Sequence, residues 1–188
     1  MDHYLDLRIL PDPEFPETVL MNVLFAKLHQ ALVQIDNRSL GLSFPMINQN
    51  KFLLGKCLRL HGSADELTRL QTLNWLVGMR DYAEVTPILP VPSGVQHRRV
   101  CRVQVKSNAE RLRRRYLKRH PEASEAETAD FFPTTKEKRL KLPFLQVKSQ
   151  STGSQFNLFI EQLPLQQNAI PGRFNCYGLS PEATIPWF

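Results

Sequence analysis

The chain has 188 residues, 42% of them hydrophobic, and 24 Lys and Arg against 18 Asp and Glu give a formal net charge of +6. This composition excludes a disordered chain, and the length fits one domain or two small ones. No run of about 18 apolar residues occurs, so we expect no membrane-spanning helix, and the first residues lack the pattern of a secretory signal. Three scattered cysteines without zinc-ligand spacing (Cys57, Cys101, Cys176) indicate reduced thiols in a cytoplasmic protein.

The basic charge is concentrated in one segment. Residues 1–97 have 8 basic and 10 acidic side chains, residues 98–119 have 10 basic and 1 acidic, and residues 120–188 have 6 basic and 7 acidic. A slightly acidic protein therefore contains one strongly cationic element. This distribution favours a binding site for a polyanion over a merely solubilising surface.

The first half of the chain is predicted to fold as a ferredoxin-like βαββαβ domain, residues 1–94. Apolar side chains at spacings of three and four predict a helix over residues 17–35, and a capping box at Ser63 and Glu66 opens a second helix over residues 67–77. Alternating or apolar runs predict the strands, which are residues 2–10, 40–44, 55–62 and 80–88. Gly94 is a candidate hinge to the second half.

The second half, residues 95–188, is predicted to be a smaller α+β domain, so the fold class is α+β. It begins with a strand over residues 100–106 and an arginine-rich helix over residues 108–120, opened by a capping box at Ser107 and Glu110 and ended by Pro121. Residues 122–139 fit either a poorer helix or a polar excursion. A hairpin of strands and then a tail follow, the tail adding a strand and an aromatic anchor; their segments are residues 143–149, 154–161, 173–177 and 185–188.

The cationic element has two parts that suit nucleic acid. On the helix, Arg111, Arg115, Lys118 and Arg119 share one side and Arg114 flanks it. A solvated basic face is the ordinary alternative, but the near absence of compensating acids favours nucleic acid.

Arg102 and Gln104 project from one face of the strand that leads into this helix. Arg matches the acceptors on a guanine edge, and Gln matches the donor and acceptor on an adenine edge. Residues 55–62 lack the paired aromatic side chains of an RNA-recognition motif. From these residues alone, double-stranded DNA and RNA both remain possible.

The chain has no HExxH, phosphate-binding glycine loop or GxSxG motif, and its carboxylates do not cluster as a two-metal nuclease requires. Metal-free cleavage of RNA stays open, because its 2′-hydroxyl can attack the adjacent phosphorus when a base and orienting groups assist. His29, Ser149 and Tyr177 are of suitable types, although each has an ordinary structural explanation. Phe156 is a core residue unless a base stacks on it.

Several short segments, in the same order and spacing, resemble the CRISPR repeat-processing endoribonucleases of type I-F systems. The segments are FAKLHQAL at 25–32, RVQVKSN at 102–108, RLRRR at 111–115, KRH at 118–120, KSQSTG at 148–153 with Phe156, CYGLS at 176–180 and PWF at 186–188. The resemblance runs nearly end to end.

The resemblance implies that the protein binds the hairpin of each CRISPR repeat and cuts the precursor RNA at the 3′ base of the stem. The family's reaction needs no metal or other cofactor and leaves a 2′,3′-cyclic phosphate. The enzyme stays on the mature crRNA as a subunit of a type I-F surveillance complex in antiviral defence. No membrane partner is expected.

Site residues follow from the same resemblance. His29 deprotonates the 2′-hydroxyl, Ser149 holds the attacking nucleotide, and Tyr177 orients His29. The expected RNA-binding residues are Arg102, Gln104, Arg111, Arg114, Arg115, Lys118, Arg119, His120, Ser151, Thr152 and Phe156. Lys118 stands where the family usually has arginine, which keeps the charge but not the planar fork. Residues 122–141 are assigned no RNA contact.

Two other classes of function remain to be separated by experiment. One is a catalytically silent RNA-hairpin-binding subunit of a crRNA-guided complex. The other is a duplex-DNA-binding protein. Neither the repeat that is recognised nor the effector that the complex serves, whether DNA interference or transposition, can be read from the sequence.

Overall fold

The computed structural model describes residues 1–36, 38–104, 109–132, 140–149 and 153–188. The regular elements among these residues are helices and antiparallel strands, which confirms the predicted α+β class. Within the described ranges, no helix is long and apolar enough to cross a membrane.

The first half of the chain forms one antiparallel sheet with two helices. The sheet order is β2-β3-β1-β4, and β5 pairs with the start of β1. The elements are β1 (His3–Ile9), α1 (Glu17–Gln34), β2 (Gly41–Ser43), β3 (Cys57–Gly62), α2 (Ala64–Thr72), β4 (Ala83–Val85) and β5 (Leu89–Pro90). Up to β4 the order is the predicted βαββαβ, whereas β5 lies beyond the last strand predicted for this half.

Helix α1 follows the predicted apolar spacing and starts directly after Pro16. Proline has no N–H and its fixed φ suits the start of a helix. Leu24, Phe25, Leu28 and Leu32 are buried against the sheet. His29 is therefore held on the flank of a well-anchored helix.

Helix α2 has the predicted capping box, but it begins at Ala64 instead of residue 67 and also ends earlier than predicted. The Ser63 hydroxyl accepts from the Glu66 N–H at 3.2 Å, and the Glu66 carboxylate accepts from the Ser63 N–H at 3.2 Å, which completes the capping box. The helix ends at Thr72, so the prediction to residue 77 is wrong. Asn74 has a φ of 49°, a left-handed conformation that stops the helix.

The predicted strand over residues 80–88 is also too long, because only Ala83–Val85 is a strand. The N–H groups of Tyr82 and Ala83 both donate to the Met79 carbonyl, at 3.1 and 2.9 Å. These turn hydrogen bonds take the donors that a longer strand would need.

The remaining strands form a three-stranded sheet, β7-β9-β8, and a pair, β10-β6. They are β6 (Gln96–Arg98), β7 (Val100–Val103), β8 (Phe144–Lys148), β9 (Gln155–Gln162) and β10 (Ile185–Trp187). β7 ends at Val103, and residues 105 and 106 of the predicted strand lie outside the described residues. The tail adds a strand at β10, while residues 173–177 form no strand.

The predicted hairpin is present as β8 and β9, with Val147 opposite Phe156 and Lys148 opposite Gln155. Its closing turn is hydrogen-bonded at Ser149, whose N–H donates to the Ser154 carbonyl at 2.8 Å. Residues 150–152 at the tip lie outside the described residues. One continuous core joins the β7-β9-β8 sheet to the first sheet.

The end of the chain supplies the predicted aromatic anchor. The Phe188 ring meets the Tyr4 ring edge-on at 4.8 Å between centroids, and the Arg59 guanidinium lies over both rings at 4.2 and 4.6 Å. Arg59 is also paired with the buried Asp6 carboxylate, at 2.6 and 3.0 Å. The fully buried His61 ring lies beside Phe188.

The arginine-rich helix is α3 (Ala109–Arg119), followed by α4 (Glu125–Phe131). α3 ends before Pro121 as predicted, whereas the predicted cap at Ser107 lies outside the described residues. α4 confirms the helical alternative for part of residues 122–139. Ser124 opens α4 with a capping box, since its hydroxyl accepts from the Glu127 N–H at 3.2 Å.

The chain forms two compact units. One is Met1–Val103 with Leu142–Phe188, and the other is Gln104–Lys141, which contains α3 and α4. The predicted boundary after residue 94 refers to domains that fold independently, and it stays a prediction.

Candidate active site and nucleic-acid interface

A cavity of about 610 Å³ opens in the first unit between α1, the β8–β9 hairpin and the tail. Predicted site residues line it from all three elements: His29 from α1, Ser149 and Phe156 from the hairpin, and Tyr177 from the tail. The structure therefore brings together side chains that are more than a hundred positions apart in the sequence. We call this space the active-site cavity.

The His29 ring is oriented by a backbone carbonyl. Its Nδ1 lies 2.9 Å from the carbonyl oxygen of Cys176. A carbonyl can only accept, so Nδ1 carries the proton and neutral His29 has an unprotonated Nε2. That is the tautomer in which Nε2 acts as a base.

The Tyr177 side chain packs against a face of the His29 ring. Its ring stacks on the His29 ring with centroids 4.4 Å apart and planes 23° apart, and on the Phe25 ring at 6.2 Å. Burial raises the pKa of the Tyr177 phenol, with a smaller contribution from Cys176, while Arg102 opposes the shift. The phenol therefore stays protonated near neutral pH.

The tail reaches His29 through a tight loop, residues 175–179, which we call the tail loop. Asn175 Oδ1 accepts from the N–H groups of Tyr177 and Leu179, at 2.9 and 3.2 Å. Gly178 has a φ of 70°, a left-handed conformation that glycine adopts without strain. The Gly178 carbonyl accepts from the Leu42 N–H at 2.8 Å, which ties the loop to β2.

Ser149 lies at the corner where β8 enters the hairpin turn. Its carbonyl accepts from the Gly153 N–H at 2.8 Å, and its own N–H is used within the turn. Its position is therefore set by the hydrogen bonds at the base of the hairpin turn. Ser151 and Thr152, the predicted backbone contacts, lie outside the described residues.

Arg102 lies on β7 beside two rings of the active-site cavity. Its guanidinium carbon is 5.3 Å from the Phe156 ring centroid and 5.6 Å from that of Tyr177. Both distances are within the range of a cation–π interaction. Within the part of the chain that the structure describes, the buried Nε of Arg102 has no hydrogen-bond partner. Gln104 is exposed and belongs to the second unit.

Four of the predicted RNA-binding residues on α3 are exposed: Arg114, Arg115, Lys118 and Arg119. His120 follows the helix and is half-exposed; it stacks on Tyr116 at 4.3 Å and its Nδ1 lies 3.1 Å from a Glu122 carboxylate oxygen. The side chain of Arg111 lies outside the described residues. The exposed cations make one basic helix surface.

Two arginines of the cationic segment have structural partners that the charge count did not reveal. Arg113 donates to the carbonyls of Phe132 and Ala129 at the end of α4, at 3.0 and 3.5 Å. Arg98 lies 4.4 Å over the Trp187 ring and donates to Gln162 at 2.8 Å. Some arginines of the basic segment are thus occupied by contacts within the protein. The net charge of residues 98–119 therefore overestimates the positive charge that is available at the surface.

Sequence reasoning also missed the groups that hold the catalytic candidates in place, Asn175 and the Cys176 carbonyl. Asn and Gly on either side of Tyr177 are a turn signal that was available in the sequence. The carbonyl left no signal, because every residue has one.

Known CRISPR-associated proteins are similar to this chain over nearly its whole length. The model of the family described as CRISPR-associated protein (Cas_Csy4) matches residues 4–188. A protein named CRISPR-associated endonuclease Cas6/Csy4 from Pseudomonas aeruginosa (strain UCBPP-PA14) is 50% identical over 188 residues, covering 100% of both chains. A second protein of that name, from Escherichia coli (strain UTI89 / UPEC), is 46% identical with the same coverage.

Proposed function

Because this chain belongs to the Cas_Csy4 family of CRISPR-associated proteins, we propose that it cuts CRISPR precursor RNA at the 3′ base of the repeat hairpin. It is a type I-F repeat-processing endoribonuclease, as its whole-length relatives are CRISPR-associated endonucleases. The proposal adds that cleavage needs no metal, leaves a 2′,3′-cyclic phosphate, and leaves the protein on its crRNA as a subunit of a surveillance complex.

One observation supports the chemistry above all others. His29 lines the active-site cavity, and its Nδ1–H donates a hydrogen bond to the Cys176 carbonyl. This leaves Nε2 able to take a proton. In the proposed reaction Nε2 takes the proton of the 2′-hydroxyl, and the 2′ oxygen forms a bond to the adjacent phosphorus. The bond from phosphorus to the 5′ oxygen breaks, and this departing oxygen takes a proton from solvent.

Two further residues would support this step. Ser149 would hold the attacking nucleotide from the corner of the hairpin, and Tyr177 would orient His29 through its stacked ring. Holding base and nucleotide in one geometry is a large part of what a metal-free nuclease can contribute to the rate.

The hairpin RNA would be bound by both units. In the first, Arg102 would read a base at the bottom of the stem and Phe156 would stack beneath the terminal pair. In the second, Gln104 would read a neighbouring base and the basic helix surface would contact phosphates. Arg111, Ser151 and Thr152 are retained in the proposal as RNA contacts.

We propose the same two-domain architecture that the sequence indicates. The sheet order β2-β3-β1-β4 with two helices supports a ferredoxin-like domain over residues 1–94, followed by an RNA-binding domain over residues 95–188. The three cysteines are free thiols, which supports a bacterial cytoplasmic protein.

Cleavage of the repeat hairpin in EDTA tests the function. We expect full cleavage, a product ending in a 2′,3′-cyclic phosphate, and crRNA that co-elutes with the protein. A hairpin with a 2′-deoxy nucleotide at the scissile position is the control, and its cleavage would contradict the internal attack. Tight binding of the natural hairpin without cleavage would instead indicate a silent binding subunit, and equal competition by duplex DNA would indicate a DNA-binding protein.

A further inference from the structure

We propose that Asn175 is a positioning residue for the cleavage reaction, because its side chain holds the tail loop in the shape that sets the His29 tautomer. The inference rests on the proposed function, since His29 must be the base for its tautomer to matter. Asn175 touches neither His29 nor the reacting atoms in this scheme. It acts through the Cys176 carbonyl and the Tyr177 ring.

The tail loop closes around one side-chain oxygen. Asn175 Oδ1 accepts two N–H groups, from Tyr177 at 2.9 Å and from Leu179 at 3.2 Å. Its backbone takes part as well, since the Asn175 N–H donates to the Leu179 carbonyl and its carbonyl accepts from Gly178, both at 2.9 Å. Four hydrogen bonds thus meet at one residue.

Backbone hydrogen bonds to other segments fix the chain on both sides of the loop. Just before it, the Phe174 N–H donates to the Arg38 carbonyl at 2.8 Å, and just after it, the Ser180 N–H donates to the Val100 carbonyl at 3.0 Å. Leu179 is fully buried. The loop therefore has little freedom to translate, and its internal shape decides where the residues between its anchors point.

Those residues are the two that meet His29. Cys176 presents the carbonyl that accepts from Nδ1 at 2.9 Å, and Tyr177 presents the ring that stacks on the imidazole at 4.4 Å. Asn175 directly precedes Cys176 and holds the N–H of Tyr177. Rotation of the peptide between Cys176 and Tyr177 would move both the carbonyl and this N–H, so the Asn175 bond resists the motion that would release Nδ1.

Without the Nδ1 acceptor, the neutral imidazole is free to carry its proton on Nε2. That tautomer cannot take the proton of a 2′-hydroxyl through Nε2. Loss of Asn175 Oδ1 is therefore expected to slow cleavage while RNA binding is retained.

The test compares Asn175→Ala with Asn175→Asp in the full-length protein. Alanine removes the acceptor, whereas aspartate keeps an oxygen at the same position. Ser180→Ala is the matched control, because Ser180 Oγ also accepts two N–H groups, from Glu182 at 3.2 Å and Ala183 at 2.9 Å, but holds no residue that meets His29. Single-turnover cleavage, affinity for the 2′-deoxy hairpin, and the ¹⁵N chemical shifts of the His29 ring are measured for each protein.

We expect Asn175→Ala to cleave on the order of tenfold to a hundredfold more slowly, which is the scale of a misplaced catalytic group, with affinity unchanged. Its His29 shifts are expected to move from the Nδ1-protonated form toward a mixture of tautomers, and Asn175→Asp is expected to restore the wild-type shifts. Ser180→Ala is expected to lower the melting temperature without changing either the shifts or the cleavage rate.

Equal slowing by Asn175→Ala and Ser180→Ala, with unchanged His29 shifts, would overturn the inference and leave a purely structural loop. If Asn175→Ala does not fold, the wild-type shifts still decide, because an Nε2-protonated His29 in the free protein contradicts the proposal. Wild-type protein that does not cleave would count against the proposed function, whereas the tautomer measurement tests the loop independently of activity.

Discussion

The imidazole of His29 and the phenol ring of Tyr177 are stacked, with centroids 4.4 Å apart and planes 23° apart. The contact is between ring faces, so the ring of Tyr177, and not its hydroxyl, is the part that helps the Cys176 carbonyl to orient His29. Tyr177→Phe is therefore expected to cleave at nearly the wild-type rate. Tyr177→Leu loses a stack worth about 0.5–1.5 kcal/mol and is expected to cleave roughly two- to tenfold more slowly. Single-turnover rates at saturating protein check this, and equal loss in both variants would assign the role to the hydroxyl.

Gly178 lies in the tail loop, and Gly94, which lies elsewhere in the chain, is a matched control for its substitution. Both have a left-handed backbone, with φ of 70° and 72°, but an added Cβ meets Leu42 Cβ at 3.0 Å at Gly178 and nothing within 4 Å at Gly94. Each substitution to alanine costs about 1–2 kcal/mol of backbone strain. Gly178→Ala adds crowding of about 1 kcal/mol or more and is expected to slow cleavage as well. Denaturant unfolding and cleavage rates measure the difference, and equal losses at both sites would argue against a tightly packed tail loop.

Arg113 and Arg115 lie two positions apart on α3 and have different expected roles. Arg113 donates to carbonyls of α4, whereas Arg115 is exposed. Arg113→Ala is expected to lower the free energy of opening of the α4 amides by about 1–3 kcal/mol, measured by hydrogen exchange. Arg115→Ala is expected to leave exchange unchanged and to reduce the salt dependence of RNA binding by about one phosphate contact. The reverse pattern would mean that Arg113 faces the RNA.

Arg102 is expected to determine base choice at the bottom of the stem. Arg102→Ala removes a guanidinium that has two donors for a guanine edge and is expected to cost about 1–3 kcal/mol of binding to the matched hairpin. Arg102→Lys keeps the charge near Phe156 and Tyr177 but not the fork, so it is expected to bind matched and mismatched stems about equally. If Arg102→Ala weakens both stems to the same extent, Arg102 is a general phosphate contact and not a base reader.

The buried His61 gives the protein a pH-dependent stability. Its Nε2 lies 2.9 Å from the Ser43 hydroxyl, and burial, with Arg59 nearby, lowers the pKa of His61 to about 3. The unfolded chain binds a proton near pH 6.5 and the folded chain does not, so the folded state loses stability as the pH falls below about 6.5, until about 3. The slope approaches about 1.4 kcal/mol per pH unit within this window. His61→Gln, which keeps a polar group near Ser43, is expected to show a flatter dependence in denaturant unfolding at pH 4 to 7. An unchanged slope would place the titration elsewhere.

Most of the secondary structure was predictable because its causes are local. Apolar spacing marked α1, the Ser63 box marked the start of α2, and Pro121 marked the end of α3. The errors lie where a tertiary environment outweighs a local pattern. The apolar residues after Thr72 continued the helical spacing, but the left-handed Asn74 and the turns around Met79 take the chain to β4 instead.

The sequence by itself determined the α+β class, the cationic segment and the resemblance that named His29, Ser149 and Tyr177. Only the tertiary structure decided which groups hold His29, because the Cys176 carbonyl lies 147 positions away and no residue type distinguishes one carbonyl from another. The tertiary structure also decided how much of the positive charge of the cationic segment is exposed at the surface. An arginine that contacts the end of a helix, as Arg113 does, or an indole ring, as Arg98 does, cannot be told from an exposed arginine such as Arg115 in the sequence. The difference lies only in how each side chain packs.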